Sequence, residues 1–426
     1  MLTTFLVGLF SFVFLNIPIA FSLILVTLVL MYFMGNISPL IIAQSVMRGI
    51  DNFPLLAIPF FILAGDLMNV GGISKRIVEF SQTILGHVRG GLGYVAVVAS
   101  MIFAGVSGSA AADTSAIGSI LLPIMAEEGY DKPKSTALIT SAGCIGPIIP
   151  PSIPMVIFGV IAGVSIVKLF LGGIIPGILI GCGLMIGWYF HSRKHNYPRG
   201  ERASLASVWR AARKAFWALI LPLIILGGII SGIYTPTEAA VVAVVYAFIV
   251  GLVIYKELRL SDLPHVLVQS AKSTAICLLV CGAAMAAAYL LTIAQIPSLL
   301  TATLLALSGG QPWLVIFWIN ILLLLVGCVM DLTPALLILG PILLPIAVKF
   351  GFDPVYFGVM MCVNLCIGLI TPPVGNVLYI GCSLSKLPMG TLSWAIFPNI
   401  SIMIAVLFLI TYVPWTITFI PRMVGR

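Results

Sequence analysis

The sequence predicts an all-α polytopic membrane protein, and three observations support this prediction. First, 61% of the 426 residues are hydrophobic and only 8% are charged, a composition far from that of soluble domains. Second, apolar stretches of about 20 residues recur, and each is long enough to cross a bilayer as a helix. Third, a proline-broken apolar segment occurs twice, while the alternating pattern of a transmembrane β-barrel is absent.

The net charge of +8 does not indicate a nucleic-acid partner, because the basic residues cluster in a few segments between apolar runs. If 71–90, 127–134, 191–214, 256–272 and residue 386 are cytoplasmic, they hold 16 of the 21 Lys and Arg residues. This bias follows the positive-inside rule of membrane proteins. The basic residues therefore predict an orientation in the lipid bilayer.

The eight cysteines lie mostly within apolar runs, and no histidine lies there with them. Cys277 and Cys281 share a helix face by their spacing, as do Cys362 and Cys366. Without histidine these pairs complete no metal site. We therefore expect small core residues, with neither a disulfide framework nor a metal site.

The first part of the chain predicts three spans and one amphipathic helix. The apolar run 2–34 is interrupted at 16–18, which indicates two short spans, and a third span covers about 53–70. In 74–91, apolar residues recur at helical spacing, which is typical of a helix in the membrane interface. These apolar residues are Ile77, Phe80, Ile84 and Val88.

Two unusual segments follow. The apolar stretch from about 92 to 125 is interrupted by "GVSGSAAADTSAIG" (105–118), which predicts a re-entrant helical hairpin with a small, polar tip. Such a tip is tolerated at membrane depth where protein or a cavity surrounds it. The apolar segment 135–167 contains "IIPPSIP" (148–154). Adjacent prolines remove backbone hydrogen bonds, so we expect a helix broken in its middle.

The middle of the chain predicts full spans joined by amphipathic stretches. The spans cover about 169–190, 217–233, 239–255 and 273–292. The amphipathic stretches are 201–216 and 258–272, on the cytoplasmic side. The tetrapeptide Thr235-Pro236-Thr237-Glu238 is typical of a capping box with proline at the first helical position, so we expect it to start a helix.

The last part of the chain again contains a predicted hairpin followed by a proline-broken segment. A second hairpin is predicted over about 312–348, with its tip at "GCVMDLTP" (327–334). A second broken segment, 354–385, contains "LITPPVGN", and a last span covers about 393–418.

An internal repeat relates these two pairs of segments. "IGSILLPIMAEEGYD" (117–131) aligns with "LGPILLPIAVKFGFD" (339–353), so that Pro123 falls on Pro345. Without a gap, 14 of 34 positions are identical between 118–151 and 340–373. Aligned prolines, glycines and aspartates are not explained by shared apolar composition. The chain therefore contains two copies of one hairpin and broken-helix unit.

The number of crossings predicts the relative orientation of the copies. One broken segment and four full spans lie between the hairpins, and this odd number inverts the second copy. We expect the first hairpin to enter from the cytoplasm and the second from the periplasm. Interrupted segments at matching places in an inverted repeat indicate the central site of a transporter.

Four motifs carry a resemblance to a known family. They are "GVSGSAAADTSAIGSILLPIM", "GPIIPPSIP", "YTPTEAAVVAVVYAF" and "DLTPALLILGPILLPI". Over its whole length the chain resembles the large membrane subunit of tripartite ATP-independent periplasmic (TRAP) transporters. That family is similar in architecture to sodium-coupled dicarboxylate transporters of the elevator type.

The resemblance implies a sodium-driven importer of an organic acid anion, such as a C4-dicarboxylate, a sialic acid or another sugar acid, in the bacterial inner membrane. It implies two partners, a small membrane subunit and a soluble periplasmic substrate-binding protein. No further helices precede Met1 in this sequence, so we expect the small subunit to be a separate chain. Sodium would be the coupling ion, and we expect no organic cofactor.

This organisation divides the chain into five parts. We expect N-terminal spans and an amphipathic arm helix in 1–90, and the first repeat core in 91–167. Scaffold spans with cytoplasmic amphipathic segments would occupy 168–311. The second repeat core would occupy 312–385, and the C-terminal span 386–426. The hairpins and broken helices would form the mobile transport unit of an elevator.

Sodium is expected where a hairpin tip meets a broken helix, because unwound carbonyls and helix C-terminal ends present oxygen. We assign one sodium site to each half. The first-half candidates are Ser107, Gly108, Ser109, Asp113, Thr114, Gly143, Gly146 and Pro147. The second-half candidates are Asp331, Thr333, Gly368 and Thr371. The two aspartates could instead be helix N-caps alone, although acids at membrane depth are usually functional.

The substrate carboxylate is expected at the breaks themselves. Backbone N–H groups that follow the prolines suit an anion, and no Arg or Lys occupies a span centre. The substrate-site candidates are Pro150, Pro151, Ser152, Pro372, Pro373, Gly375 and Asn376.

A polytopic membrane protein could also be a channel, an intramembrane enzyme or a transporter that acts alone. A channel would need a continuous polar stripe through several spans, and none is present. An intramembrane protease would need a Ser/His, paired Asp or His–metal arrangement inside the membrane. No histidine lies there, and Asp113 and Asp331 lie in segments without a catalytic motif, so we expect no catalytic residues and no enzymatic activity. A stand-alone sodium-coupled anion transporter stays open, because composition does not distinguish it from one that uses a binding protein.

Overall fold

The computed structural model describes residues 1–15, 17–35, 38–200 and 202–424, and Asn16 of the predicted interruption lies outside them. The described residues form helices and turns, with no strand among them. The N-terminal helices are α1 (Leu2–Phe14), α2 (Ile19–Met34), α3 (Pro39–Ile50), α4 (Ala57–Val70) and α5 (Ile73–Leu85). A 3-10 turn, Phe53–Leu56, leads into α4.

The first repeat unit follows, and after it come the helices that connect it to the second unit. The first unit consists of α6 (Gly91–Ser107), α7 (Ala110–Glu127), α8 (Lys132–Gly143), α9 (Ile153–Ala162) and α10 (Ile166–Lys194). The next helices are α11 (Leu205–Ile230), α12 (Pro236–Ile249), which continues as a π-helical turn (Val250–Ile254), and α13 (Leu263–Ile293).

The remaining helices complete the second unit. They are α14 (Ile296–Ser308), α15 (Pro312–Gly327), α16 (Leu332–Lys349), α17 (Pro354–Gly368), α18 (Asn376–Ser385), α19 (Met389–Tyr412) and α20 (Trp415–Val424). By length and composition, seven helices among the described residues could cross a membrane, and the bent pair α14 and α15 could add an eighth. The prediction of an all-helical, polytopic membrane protein is therefore confirmed.

The two helical hairpins and the two breaks are present. Only Gly108 and Ser109 separate α6 from α7, so the first turn is shorter than the predicted tip 105–118. Residues 328–331 separate α15 from α16, inside the predicted tip 327–334. Proline explains both breaks: α8 stops before residues 144–152, and α17 stops before 369–375.

Several predicted boundaries were wrong. The amphipathic stretch 201–216 and the span 217–233 belong largely to one helix, α11, because a change from amphipathic to apolar composition interrupts no backbone hydrogen bond. For the same reason α13 joins most of 258–272 to the span 273–292. The last span is two helices, because Pro414 cannot continue α19 and favours an extended conformation at Val413.

Two helices, α3 and α14, were not predicted from the sequence. The α3 helix starts at a conventional signal, since Ser38 accepts a hydrogen bond from the Leu40 N–H and Pro39 occupies the first helical position. The α14 helix bends by 118° into α15. The capping box of Thr235 and Glu238, in contrast, starts α12 as predicted.

The structural repeat covers more of the chain than the two aligned segments, 118–151 and 340–373. Helices α5 to α10 have counterparts α14 to α19 in the same order. The first residues of α7 and α16, Ala110 and Leu332, are as far apart in sequence as the aligned Pro123 and Pro345. Each hairpin also packs against both broken segments, since α7 contacts α8 and α18, and α16 contacts α17 and α9. The two units are therefore interlocked around one centre.

Candidate functional site

The two breaks occupy matching places in the repeat, residues 144–152 in the first half and 369–375 in the second. In the first half α8 ends at Gly143 and α9 begins at Ile153, and in the second α17 ends at Gly368 and α18 begins at Asn376. The Pro150–Pro151 and Pro372–Pro373 peptide bonds, which are equivalent in the repeat, are both cis.

The first hairpin places a buried carboxylate against the first break. Asp113, in the first turn of α7, is fully buried, and its Oδ1 accepts a hydrogen bond from the Ser107 hydroxyl. Its Oδ2 has no hydrogen-bond partner among the described residues. A Cβ atom at Gly146 would collide with that oxygen. The carboxylate thus lies directly on the unwound segment, where only glycine leaves room for it.

Thr114 repeats this arrangement one residue further on. Its Oγ1 is buried and has no partner in the described part of the chain. A Cβ atom at Gly143 would collide with this hydroxyl. Asp113 Oδ2 and Thr114 Oγ1, both without a partner among the described residues, therefore face Gly146 in the break and Gly143 at the C-terminal end of α8.

The second half is built differently. Gly368 packs against Gly327, so closely that a Cβ atom at Gly368 would lie 2.6 Å from the Gly327 Cα. The Val374 N–H donates to the Cys328 carbonyl at 3.2 Å. Thr371 donates its hydroxyl to the Ile367 carbonyl at 2.7 Å. The second break is thus tied to its hairpin by backbone, and its threonine hydroxyl bonds within its own turn.

The tip of the first hairpin rests on the first break. Gly108 has φ +61°, and a Cβ atom there would lie 2.7 Å from the Pro151 carbonyl oxygen. The buried Ser152 hydroxyl donates to the Pro147 carbonyl and accepts from the Met155 N–H at 3.3 Å. Ser152 therefore acts as the N-cap of α9.

A cavity of about 450 Å³ lies between the two hairpins and the breaks. It brings together seven of the residues predicted from sequence. They are Ser107, Gly108, Ser109, Pro147, Asp331, Thr333 and Asn376. The cavity thus joins candidates from both halves and from both the sodium and the substrate groups.

The other predicted residues do not line this cavity. The sodium candidates outside its lining are Asp113, Thr114, Gly143, Gly146, Gly368 and Thr371. The substrate candidates outside it are Pro150, Pro151, Ser152, Pro372, Pro373 and Gly375. Among these, Gly375 has φ +44° and precedes α18. Most of them form the wall and the breaks behind the cavity surface.

Four helix N-termini meet at the cavity. The first residues of α7, α9, α16 and α18 all line it: Ala110, Ile153, Leu332 and Asn376. Helix N-termini present free N–H groups and a positive dipole end. The cavity lining includes no Arg, Lys or His among the described residues. The charged side chains of the lining are Asp66 and Asp331, so attraction for an anion would have to come from the backbone N–H groups of these termini.

One wall of the cavity was not predicted from the sequence. Asp66 of α4 lines it and accepts a hydrogen bond from the Ser270 hydroxyl of α13 at 2.5 Å. Asn69, Ser273 and Cys277 lie on the same wall. An acid within a predicted span is itself a functional signal, but nothing in the sequence around Asp66 indicates a partner so distant along the chain.

The family of the chain follows from comparison with known proteins. The model of the DctM component of tripartite ATP-independent periplasmic transporters matches residues 6–416. The Escherichia coli 2,3-diketo-L-gulonate TRAP transporter large permease protein YiaN is 45% identical over 399 residues, which cover 94% of each chain. The C4-dicarboxylate TRAP transporter large permease protein DctM of Rhodobacter capsulatus is 38% identical and covers 96% of each chain.

A solved structure supports the fold independently. The YdaH transporter of Alcanivorax borkumensis superposes with a TM-score of 0.65 at 13% identity, and the match covers 96% of this chain and 99% of that one. At this identity the likeness concerns the fold alone. Because the family model and the relatives cover almost the whole sequence, the chain belongs to the TRAP transporter large permease family and is a multi-pass membrane protein.

Proposed function

We propose that this protein imports an organic acid anion across the bacterial inner membrane and that sodium drives the import. The observation that carries the proposal is the convergence of four helix N-termini, two from hairpins and two from broken helices, on one cavity. Backbone N–H groups and dipole ends at these termini favour a carboxylate. The absence of a cationic side chain from the described lining favours weak binding and easy release.

The sodium assignment is supported by the chemistry of the donor set. Asp113 Oδ2 and Thr114 Oγ1 are buried and have no partner among the described residues. A buried oxygen without a partner is costly, and oxygen ligands are those that a hard cation prefers. Bound sodium would supply positive charge beside the substrate carboxylate. In the second half, Asp331 and Thr333 would hold the second ion at the cavity surface.

We further propose that the hairpins and broken helices move as one unit. They interlock in pairs, α7 with α18 and α16 with α9, so they would travel together. The wall that carries Asp66 would belong to the fixed scaffold. Loading of the ions and the substrate would permit movement of this unit across the bilayer, which is an elevator mechanism with two re-entrant hairpins.

The partners are proposed from the family. Its description as tripartite supports a periplasmic substrate-binding protein and a small membrane subunit. The named relatives handle 2,3-diketo-L-gulonate and C4-dicarboxylates. We therefore propose a small organic acid with at least one carboxylate as the substrate.

Reconstituted transport tests the whole proposal. The chain, the small subunit and the binding protein are placed in proteoliposomes, and uptake of labelled organic acids is followed. We expect uptake that needs an inward sodium gradient and that stops when the binding protein is omitted. Strong uptake without the binding protein would support a stand-alone transporter. Uptake that does not depend on the sodium gradient would overturn the proposal that sodium drives the import.

A further inference from the structure

A second charged site lies away from the central cavity, in a groove between α5 and α11. Two adjoining cavities form this basic groove, one of about 370 Å³ and one of about 250 Å³. Five basic and two acidic side chains line them. They are Lys75, Arg76, Arg210, Arg213 and Lys214, with Glu79 and Glu257. The groove therefore has an excess of positive charge.

One basic side chain forms a fixed wall of the groove. Arg76 Nη1 pairs with Glu257 Oε1 at 2.8 Å and donates to the Gly72 carbonyl at 2.8 Å. The Arg76 guanidinium also stacks over the Tyr255 ring at 3.7 Å from its centroid. The Tyr255 hydroxyl bonds to the backbone of Lys214 and Ala218, each at 3.1 Å. These contacts hold α5, α11 and the end of α12 around the groove.

The other four basic side chains are free to bind an anion. Within 4.0 Å, the Arg76–Glu257 pair is the one salt bridge among the described residues. Lys75, Arg210, Arg213 and Lys214 are all exposed. Arginine and lysine together suit a phosphate group, which accepts several charge-assisted hydrogen bonds.

The groove also has an apolar side at the expected depth of the bilayer surface. Trp217 and Ile254 line it and are 40% and 38% exposed. Immediately after Lys214, α11 continues as an unbroken apolar stretch, 215–230. On the amphipathic half of α11, Leu205 and Trp209 are 91% and 73% exposed. Cations at the end of a span, with tryptophan beside them, are typical of the lipid headgroup level.

We propose that the basic groove binds the headgroup phosphate of an anionic phospholipid from the cytoplasmic leaflet. Arg213 and Lys214 would contact the phosphate, and the acyl chains would leave along Trp217 and Ile254. A free phosphate ion would satisfy the cations but would not cover this apolar side. The bound lipid would fix the cytoplasmic half of α11, and with it the arm helix α5, at the membrane surface.

Lipid binding to the purified full-length chain tests this proposal. Native mass spectrometry in neutral detergent would compare phosphatidylglycerol with phosphatidylcholine. We expect tighter retention of phosphatidylglycerol. The double variant Arg213→Gln/Lys214→Gln should weaken its binding about thirtyfold, because two cations at a lipid surface contribute about 2 kcal/mol. The single variant Arg210→Gln should weaken it roughly fivefold and serves if the double variant fails to fold.

A matched variant separates the groove from general electrostatics. Lys194→Gln/Arg202→Gln removes the same charge from exposed residues that do not line the groove, and it should bind phosphatidylglycerol like the parent. Equal weakening in both double variants, or in neither, would overturn the proposal. Full competition by millimolar inorganic phosphate would assign the groove to a free anion instead. Displacement of the lipid when the small subunit assembles would assign it to a protein interface.

Discussion

Asp113 is the only carboxylate among the candidate sodium ligands of the first half. Its carboxylate is fully buried, with one oxygen held by Ser107 and the other without a partner in the described chain. Capping alone explains this poorly, because Ser109 already caps α7 by accepting from the Ala112 N–H. The second carboxylate oxygen, unpartnered among the described residues, supports the proposed sodium ligand, because a cation would satisfy it.

Replacement of Asp113 should raise the sodium requirement. In Asp113→Asn, the sodium concentration for half-maximal uptake should rise about tenfold or more, because a lost charged contact costs about 1.5–3 kcal/mol. Asp331→Asn should act in the same direction. The measurement is initial uptake in proteoliposomes at a series of sodium concentrations.

An exposed carboxylate provides the control for this pair. Asp51, at the end of α3, is exposed and does not line the cavity, so Asp51→Asn should leave the sodium dependence unchanged. If Asp113→Asn and Asp331→Asn both kept the parent's sodium dependence, neither carboxylate would be a sodium ligand.

Gly146 should not tolerate a side chain. A Cβ atom there would collide with Asp113 Oδ2, so Gly146→Ala must displace either the carboxylate or the break. We expect loss of uptake while the protein still inserts in the membrane. Gly227→Ala is the matched control, since nothing lies within 4 Å of a Cβ atom there. Parent-like uptake and sodium affinity in Gly146→Ala would mean that the break is not a close partner of Asp113.

At the scale of elements, an aromatic cluster fixes the turn between the first hairpin and the first broken helix. Tyr130 stacks on Tyr197 with ring centroids 4.6 Å apart, and Trp188 stacks on Tyr197 at 5.6 Å. The Tyr197 hydroxyl accepts a hydrogen bond from the Asp131 N–H at 3.2 Å. The cluster thus ties the end of α7 and the start of α8 to the end of α10.

Ionisation of Tyr130 should loosen this cluster at high pH. Burial raises the pKa of Tyr130 to about 12, whereas a phenol in the unfolded chain has a pKa near 10. The folded state favours the neutral phenol, so its contribution is complete below about pH 10 and is lost as the pH rises through about 12. We expect Tyr130→Phe to flatten the fall in Tm over this range.

The control is a tyrosine outside the cluster. Tyr32 is 82% exposed, so Tyr32→Phe should keep the parent's fall in Tm with pH. If Tm fell equally with pH in the Tyr130→Phe variant and in the parent, ionisation of Tyr130 would not be the cause of the lost stability.

The hairpins and breaks could be predicted because local chemistry determines them. Small polar residues end α6 at Ser107, whereas Pro147 ends α8 at Gly143 and Pro372 ends α17 at Gly368, because a proline ring clashes with the carbonyl four residues before it. The α14 helix was not predicted, although the alignment of the two repeats makes it the equivalent of the predicted helix α5. Helix α11 was divided wrongly because the change from amphipathic to apolar composition interrupts no backbone hydrogen bond.

At the scale of the whole molecule, the repeat predicts opposite orientations for equivalent positions. Glu127 ends α7 and Lys349 ends α16, so the two occupy the same place in their repeats, and both are exposed. In a background without native cysteines, intact cells expressing Lys349→Cys should react with a membrane-impermeant maleimide. Glu127→Cys should react only after the cells are opened. Labelling of both from the same side would contradict the inverted topology.

The cavity shows the limit of prediction from sequence at this scale. The inverted repeat predicted a central site at the interrupted segments, and Ser109 and Asp331, from the two hairpins, do line one cavity. The wall of Asp66 and Ser270 could not be predicted, because it forms only when α4 and α13 pack together. The position of Asp113 behind the surface, rather than on it, likewise depends on how closely α7 approaches Gly146.

The dependence of initial uptake on sodium concentration tests whether two sodium sites are coupled to one substrate cavity. One sodium site in each half, both coupled to one substrate cavity, predicts a sigmoidal curve with a Hill coefficient above 1 and up to about 2. Asp113→Asn should shift this curve to higher sodium. A rate that does not change with sodium, or a hyperbolic curve that neither Asp113→Asn nor Asp331→Asn displaces, would contradict the account.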